Sequence, residues 1–192
     1  FYGKTRTCVH IPRARLLAEG CDTGHGYVRP PGRPASAAAL AAIIIQSCQN
    51  DMHGGQSFAH FDTDMGPYME GFDEDEAYQA MEAFVYNLNT MHSRAGAQVP
   101  FSTVNVGCDT SPGGRLVTRL LLEVYERGLG RGETPVFPNI IFRVSSGINL
   151  NPGDPNHDLF KLACRVCARR MNPTFSFMDS SFNRGYGNEV AY

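Results

Sequence analysis

The second half of the sequence alternates between strand-like and helix-like segments, and this alternation is the feature that most limits the possible folds. The strand-like segments are short and rich in β-branched and aromatic residues, whereas the helix-like segments repeat leucine and valine at a spacing of three or four residues. The pattern predicts a strand, a helix, a strand, a helix and a strand over residues 99–106, 112–127, 136–144, 154–171 and 174–178. Such an order is typical of an α/β fold with a parallel sheet and crossover helices.

The first half is predicted to be more helical. Residues 37–50 are rich in alanine, and residues 73–93 repeat apolar side chains at helical spacing. Their predicted buried stripes are Leu40, Ile43, Ile44 and Ser47 in the first helix and Ala77, Met81, Phe84, Leu88 and Met91 in the second. The proline-rich residues 29–34 indicate a stiff connector, not a domain boundary.

Composition narrows the classes of protein that the chain can belong to. A length of 192 residues with 42% hydrophobic and 19% charged residues suits a soluble protein with a substantial core. The net charge of -2 argues against a dedicated nucleic-acid binder, because such proteins neutralise many phosphates. The longest apolar run, residues 40–45, is far shorter than the roughly 20 residues that cross a membrane, and six scattered cysteines favour a reducing, cytoplasmic location.

Several short segments, taken in chain order, resemble anaerobic ribonucleoside-triphosphate reductases, which are the class III, glycyl-radical ribonucleotide reductases. No single segment is specific, but the ordered set is. The segments are TCVHIP at 7–12, RPP at 29–31, HGGQS at 53–57, NLNTMH at 87–92, PFST at 100–103, DTS at 109–111, GETPVFP at 132–138 and NPGDPNHDLFKLAC at 151–164.

The resemblance implies a fold that periodicity alone does not reach. Residues 1–192 are expected to form an incomplete portion of the catalytic barrel domain, without a separate domain boundary. The barrel of this family has ten strands in an α/β arrangement, and a finger loop threads its centre. The chain is expected to be an internal fragment that lacks the radical-forming cysteine loop and the glycyl-radical segment, and therefore to be inactive alone.

Cys8 is the candidate catalytic residue. A lone cysteine is most often a small core residue, so the residue type by itself does not decide its role. The resemblance implies that Cys8 delivers a hydrogen to the ribose, on the face opposite a transient thiyl radical, as the 2'-hydroxyl leaves as water. Sulfur suits this step because thiols exchange hydrogen and are readily oxidised. Asparagine often precedes this cysteine in the family, so Thr7, which stands there instead, is assigned only a backbone contact to the substrate.

Residues 53–57 are the first candidate substrate-binding segment: His53, Gly54, Gly55, Gln56 and Ser57. From the residues alone, a glycine pair after a helix favours a helix stop and a tight turn. Glycines also let backbone N–H groups approach a phosphate closely. The resemblance implies that this segment forms part of the active-site wall.

Residues 109–111 are the second candidate: Asp109, Thr110 and Ser111. They lie where a predicted strand ends and a predicted helix begins, and N–H groups at a helix start favour anions. A phosphate contact is one interpretation. Capping of the helix by Ser111 is the other, and the sequence leaves both open.

The pair Cys164 and Cys167 has the spacing of a redox or zinc motif. It lies inside a predicted helix, with no second cysteine pair and no histidine at ligand spacing. Two small residues on a core-facing helix are therefore predicted, and no metal site is expected in the chain.

The resemblance also implies an activity: anaerobic reduction of ribonucleoside triphosphates to 2'-deoxyribonucleoside triphosphates for DNA synthesis. It implies a radical-forming activase with an iron–sulfur cluster and S-adenosylmethionine, nucleotide effectors, a homodimer, and zinc in a C-terminal region outside the chain. No cofactor, nucleic acid or membrane is expected to bind this segment. The alternatives are another glycyl-radical enzyme of lyase or dehydratase type and a non-catalytic α/β module that binds nucleotides.

Overall fold

The computed structural model of the chain describes residues 9–10, 13–49, 54–94 and 96–185. Helices and short parallel strands alternate along most of this length. In chain order the elements are β1 (Val9–His10), α1 (Arg13–Glu19), β2 (Cys21–Asp22), β3 (Tyr27–Val28), α2 (Pro34–Cys48), β4 (Gln56–Phe58), α3 (Phe61–Met69), α4 (Glu74–Thr90), β5 (Ser102–Val106), α5 (Pro112–Arg127), β6 (Asn139–Val144), α6 (His157–Arg170), β7 (Thr174–Phe177) and a 3-10 turn (Asn183–Gly185).

The main sheet has five strands in the order β1-β4-β5-β6-β7, and every neighbouring pair is parallel. Strands β2 and β3 form a separate antiparallel pair. Because each new strand of the main sheet is added on the same side, right-handed crossovers place all the connecting helices on one face. The strand order never reverses, as it does in doubly wound sheets, so the sheet has the topology of one arc of an α/β barrel. The predicted fold class is confirmed.

The face of the sheet toward the helices is apolar. Alternate residues of the two central strands, Val104, Val106, Phe142 and Val144, are buried in one cluster with the helices. The amphipathic helix α5 contributes Val117, Leu120, Leu121 and Val124 to the same cluster. The sheet is therefore fixed to its helices by burial of one face of each strand.

The other face of the sheet is largely polar. Cross-strand register aligns Ser57, Thr103 and Asn139 in one row. Arg143 is paired with Ser176 further along. Ile141 belongs to this face and lies outside the main core, in a small cluster with Met178. A polar face opposite the helices is typical of strands that line the inside of a barrel.

The first half is more helical than the second, as predicted, because it holds α1 to α4, but it also contributes two strands of the main sheet, β1 and β4, that were not predicted. Both are only two or three residues long, too short to give a period-two pattern. Helix α3 was also missed, since it contains Gly66 and Pro67. A Cβ atom on Gly66 would lie 2.9 Å from the Gly114 nitrogen, so the glycine permits close packing of α3 on α5.

Four predicted core positions are wrong, the first being Ser47 in α2, which is exposed. Ile43 is 38% exposed and Met91 is 53% exposed, although both follow the helical repeat. Cys164 is exposed as well, because α6 turns Leu159, Ala163 and Val166 toward the core instead. None of the five described cysteines forms a disulfide.

Candidate functional site

The predicted site residues fall into three groups. Thr7, Cys8 and His53 lie outside the described residues. Residues 54–57 enter β4, at the edge where the parallel strands begin. Residues 109–111 follow β5, at the edge where the strands end. Because Gln56 is level with Ser102, these two groups are separated by the length of β5, which is about 16 Å for five residues at roughly 3.3 Å per residue. They do not form one site.

At the N-terminal edge, Gly55 packs against an aromatic ring. A Cβ atom on Gly55 would lie 2.6 Å from the Phe101 ring, so only glycine leaves the ring room in its position. The Phe101 backbone is fixed on both sides, because its carbonyl accepts from the Gln56 N–H at 3.0 Å and its N–H donates to Gln49 Oε1 at 3.1 Å. The ring itself remains 49% exposed.

The side chain of Gln56 has a structural role. It is buried and donates through Nε2 to the Ile45 carbonyl at 2.9 Å and to Gln49 Oε1 at 3.2 Å. Its neighbour Ser57 is part-buried on the opposite face of the strand, in the polar row. Of this pair, only Ser57 faces the side on which a barrel interior would lie.

Asn89, in the last turn of α4, fixes the segment that leads into β6. Its Oδ1 accepts from the Val136 N–H at 2.8 Å and from the Phe137 N–H at 3.1 Å. Its Nδ2 donates to the carbonyls of Val85 and Phe137. All four hydrogen-bonding positions of the amide are therefore used. Sequence reasoning included Asn89 only as part of a motif and assigned it no role.

The hydrogen bonds that fix the backbones of Phe101 and Phe137 place their side chains together as an aromatic pair. Their ring centroids are 5.2 Å apart and the planes meet at 64°, an edge-to-face geometry. The pair lines a cavity of about 430 Å³ together with His92, Arg94 and Gln98. Four of the segments that carry the family resemblance therefore meet at the N-terminal edge: residues 54–57, 87–92, 100–103 and 132–138.

The C-terminal edge presents a helix start that is already occupied. Ser111 caps α5 by accepting from the Gly114 N–H at 3.1 Å, and Asp109 Oδ1 accepts from the Ser111 N–H at 2.7 Å. Burial opposes ionisation of Asp109, but hydrogen bonds from Ser111 and Thr63 and the charge of Arg143 outweigh it and lower the pKa of the carboxyl group. A carboxylate thus lies where an incoming phosphate would otherwise meet the helix, and the capping interpretation accounts for Ser111.

Sequence reasoning missed a buried ion pair beside this helix start. Asp62 and Arg143 are 0% and 5% exposed in their side chains, and Asp62 Oδ1 lies 3.5 Å from Arg143 Nη2. Asp62 Oδ2 also accepts from the Gly107 N–H at 2.7 Å. Burial raises the pKa of Asp62 despite these partners. An arginine within the apolar strand sequence NIIFRV was the available signal.

The ion pair borders a second cavity, of about 240 Å³. Arg143 Nη1 lies 3.0 Å from His60 Nδ1, and because guanidinium only donates, Nδ1 must accept and the ring must carry its proton on Nε2. Cys108 Sγ donates to the Arg143 carbonyl at 3.7 Å, and burial raises the pKa of this thiol. Most of these charges and donors bond to one another, which is typical of structural support, although the buried Arg143 Nε has no hydrogen-bond partner among the described residues.

No cluster of three or more His, Cys, Asp or Glu side chains in the described ranges is arranged to hold a metal ion. Within the same residues, no helix combines the length and apolarity needed to cross a bilayer.

The parallel sheet with its helices on one face defines a portion of an α/β barrel, and comparison with known proteins agrees. The family model for anaerobic ribonucleoside-triphosphate reductase matches residues 1–192. The chain belongs to this family.

Curated relatives carry the same description. The chain is 31% identical over 190 residues to the anaerobic ribonucleoside-triphosphate reductase of Haemophilus influenzae, covering 86% of this chain and 27% of that protein. It is 29% identical to the enzyme of Enterobacteria phage T4, covering 86% of this chain and 31% of that protein. The chain thus spans between a quarter and a third of the length of these relatives.

Solved structures support the fold. An anaerobic ribonucleotide reductase aligns over 93% of this chain and 32% of its own, with a TM-score of 0.70 and 13% identity. The anaerobic ribonucleotide reductase of Thermotoga maritima in complex with dATP and CTP aligns over 93% of this chain and 34% of its own, with a TM-score of 0.64 and 12% identity. At such low identity the similarity establishes the fold alone.

Proposed function

We propose that the complete protein reduces ribonucleoside triphosphates to 2'-deoxyribonucleoside triphosphates under anaerobic conditions, and that this chain supplies one wall of its active site. The observation that carries the proposal is the convergence of four family segments on the N-terminal edge of the sheet. Membership of the family and the nucleotides bound by the Thermotoga maritima relative support the substrate class.

Cys8 is proposed as the hydrogen-donating thiol. It precedes Val9 in the sequence, and Val9 pairs with Gln56, the residue that follows Gly55. The strand pairing therefore connects the TCVHIP segment with the HGGQS segment at the N-terminal edge. Replacing the 2'-hydroxyl by hydrogen takes two electrons and two protons. A thiol there supplies one hydrogen atom and becomes a sulfur radical, while an external reductant, either formate or a thiol protein, supplies the second electron and proton as the hydroxyl leaves as water.

The phosphate contact proposed for residues 109–111 finds less support than the wall at residues 54–57. The Asp109 carboxylate would repel a phosphate at the start of α5, and Ser111 already accepts from that helix. We therefore assign substrate contact first to residues 54–57, with the Gly54–Gly55 backbone and the Ser57 side chain as the groups available to a ligand. The side chain of Gln56 is committed to the core.

The remaining parts of the proposal concern the rest of the protein. A glycyl radical generated by an iron–sulfur activase with S-adenosylmethionine would start the reaction, because protein side chains alone do not supply such a radical. Nucleotide effectors, a homodimer, a cytoplasmic location and a zinc site in another region complete the proposal. The described residues offer no suitable donor cluster for that zinc.

The test is Cys8→Ser in the complete, activated protein. Serine keeps the size but cannot supply a transferable hydrogen or an oxidisable sulfur, so deoxynucleotide formation should be lost while the glycyl radical still forms. Product formation and radical content by electron paramagnetic resonance are measured together.

Cys164→Ser and Cys167→Ser are the matched controls, since both thiols lie on α6 and neither lines the cavity beside Phe101 and Phe137. Each should cost stability of about 1 kcal/mol at most and leave the reaction intact. An active Cys8→Ser enzyme would refute the assignment of the thiol. Absence of any nucleotide reduction by the unmutated protein would refute the proposed activity.

A further inference from the structure

The aromatic pair at the N-terminal edge is held in place from outside the cavity. Phe137 precedes cis-Pro138 and β6, and its backbone N–H and carbonyl both bond to the Asn89 amide. The donor and acceptor sites of that amide are saturated, so a small rotation of the side chain would break several hydrogen bonds together. Asn89 therefore sets the position of the Phe137 ring without itself lining the cavity.

The position of the Phe101 ring depends on its contact with the Phe137 ring. Phe101 packs over the Gly55 backbone on one side and meets the edge of Phe137 on the other. Its backbone is anchored by Gln49 and Gln56, whereas the ring has 49% of its surface exposed. A half-exposed aromatic ring beside a cavity offers a flat apolar surface for a planar ligand.

The neighbouring groups suit a nucleotide. Arg94 and His92 line the same cavity and provide donors, and a cation near an aromatic wall matches a ligand with a planar base and negative phosphates. The volume of about 430 Å³ accommodates a base and ribose, since ligand pockets of drug-like size start near about 300 Å³.

We propose that the aromatic pair Phe101–Phe137 forms the wall against which the base of the bound nucleotide packs, and that Asn89 is the positioning residue that sets this wall. The inference rests on the proposed function and deepens it, because it assigns base contact to residues with no previously stated role. Asn89 does not touch the ligand. It acts through the backbone of Phe137.

Two probes separate base contact from phosphate contact in the complete protein: CTP and the base-free ribose 5-triphosphate. Asn89→Ala should weaken CTP binding about tenfold and leave ribose 5-triphosphate binding unchanged, because one base stacked on an aromatic side chain contributes roughly that factor. In the activated enzyme the same variant should raise KM for CTP by about tenfold with kcat changed by less than about twofold.

Two further variants keep the test decisive if Asn89→Ala impairs folding. Phe101→Leu removes a half-exposed ring on which no side-chain hydrogen bond depends, and it should weaken CTP binding about tenfold as well. Asn89→Asp preserves the shape of the side chain but turns an oxygen toward the carbonyls of Val85 and Phe137, so it should behave like the alanine variant.

Asn87→Ala is the matched control. Asn87 lies on the same helix, but its Oδ1 accepts from Gln46 Nε2, away from the 136–137 segment. It should leave both ligands unaffected. Equal loss of CTP and ribose 5-triphosphate binding, or unchanged CTP binding in both Asn89→Ala and Phe101→Leu, would overturn the inference. A protein that binds both ligands but reduces neither would refute the proposed activity, while the binding comparison would still decide the role of Asn89.

Discussion

The two edges of the sheet are formed by different types of residues. At the N-terminal edge, the glycine backbone, the half-exposed Phe101 and the part-buried Phe137 border an open cavity. The polar side chains beneath, Gln49, Gln56 and Asn89, bond mainly to backbone. At the C-terminal edge, buried charges pair with one another and with the start of α5.

The difference shows which edge is available to a ligand. Most groups at the C-terminal edge bond to one another, with Arg143 Nε as an exception, so a ligand of the ion pair would have to displace internal partners at a substantial free-energy cost. At the N-terminal edge the hydrogen bonds hold the backbone and leave ring surface exposed. In a TIM barrel the C-terminal edge would be the expected site. In this chain the sequence segments and the exposed surface both favour the opposite edge.

The largest expected effect is on stability, at the C-terminal edge. Arg143→Met leaves Asp62 buried without its charged partner, and breaking a buried pair on one side typically costs about 3–5 kcal/mol. The free energy of unfolding of the complete protein in urea should fall by an amount in this range. Arg119→Met, which breaks the largely exposed pair with Glu74, is the control and should cost less than about 1 kcal/mol. Equal effects of the two substitutions would contradict the comparison.

An intermediate effect on stability is expected when one methyl group is added at each edge of the sheet. A Cβ atom on Gly113 would lie 2.6 Å from the Gly66 carbonyl oxygen, which belongs to the backbone of a packed helix. Gly113→Ala should therefore destabilise the protein by about 1–3 kcal/mol in urea unfolding. At Gly55 the same methyl group would meet the Phe101 ring, which can move, so Gly55→Ala should change stability less and nucleotide binding more. A stability loss at Gly55 that equals the loss at Gly113 would contradict this difference between the two edges.

The smallest effect is a dependence on pH. The pKa of Asp109 is lowered in the folded protein, so the carboxylate contributes stability above its unfolded pKa of about 3.9, and this contribution is lost as pH falls through the folded value. Asp109→Asn should therefore destabilise the protein at neutral pH, and the difference from the unmutated protein should shrink below about pH 4. Urea unfolding at several pH values measures this difference. A difference that grows on acidification would contradict the assigned direction.

The sequence was sufficient for the regular elements of the second half. Strong periodicity located α5 and α6, and Pro112 with Ser111 marked the start of α5. Short elements escaped detection because three residues of β4 carry too little pattern. The predicted buried stripes of the first two long helices included Ile43 and Met91, which are exposed. Periodicity predicts which face of a helix is buried but not how wide the buried face is.

For the site, the sequence identified the segments, and only the tertiary structure decided which of them meet. Residues 54–57 and 109–111 were equal candidates until the parallel pairing of β4 with β5 placed them at opposite edges. The roles of Asn89, Asp62 and Arg143 depend on contacts between distant positions. Asn89 bonds to Val136, 47 positions further along the chain, and the ion pair joins Asp62 to Arg143, 81 positions further along. No local pattern encodes such contacts, because burial and partner choice arise only when distant segments pack together.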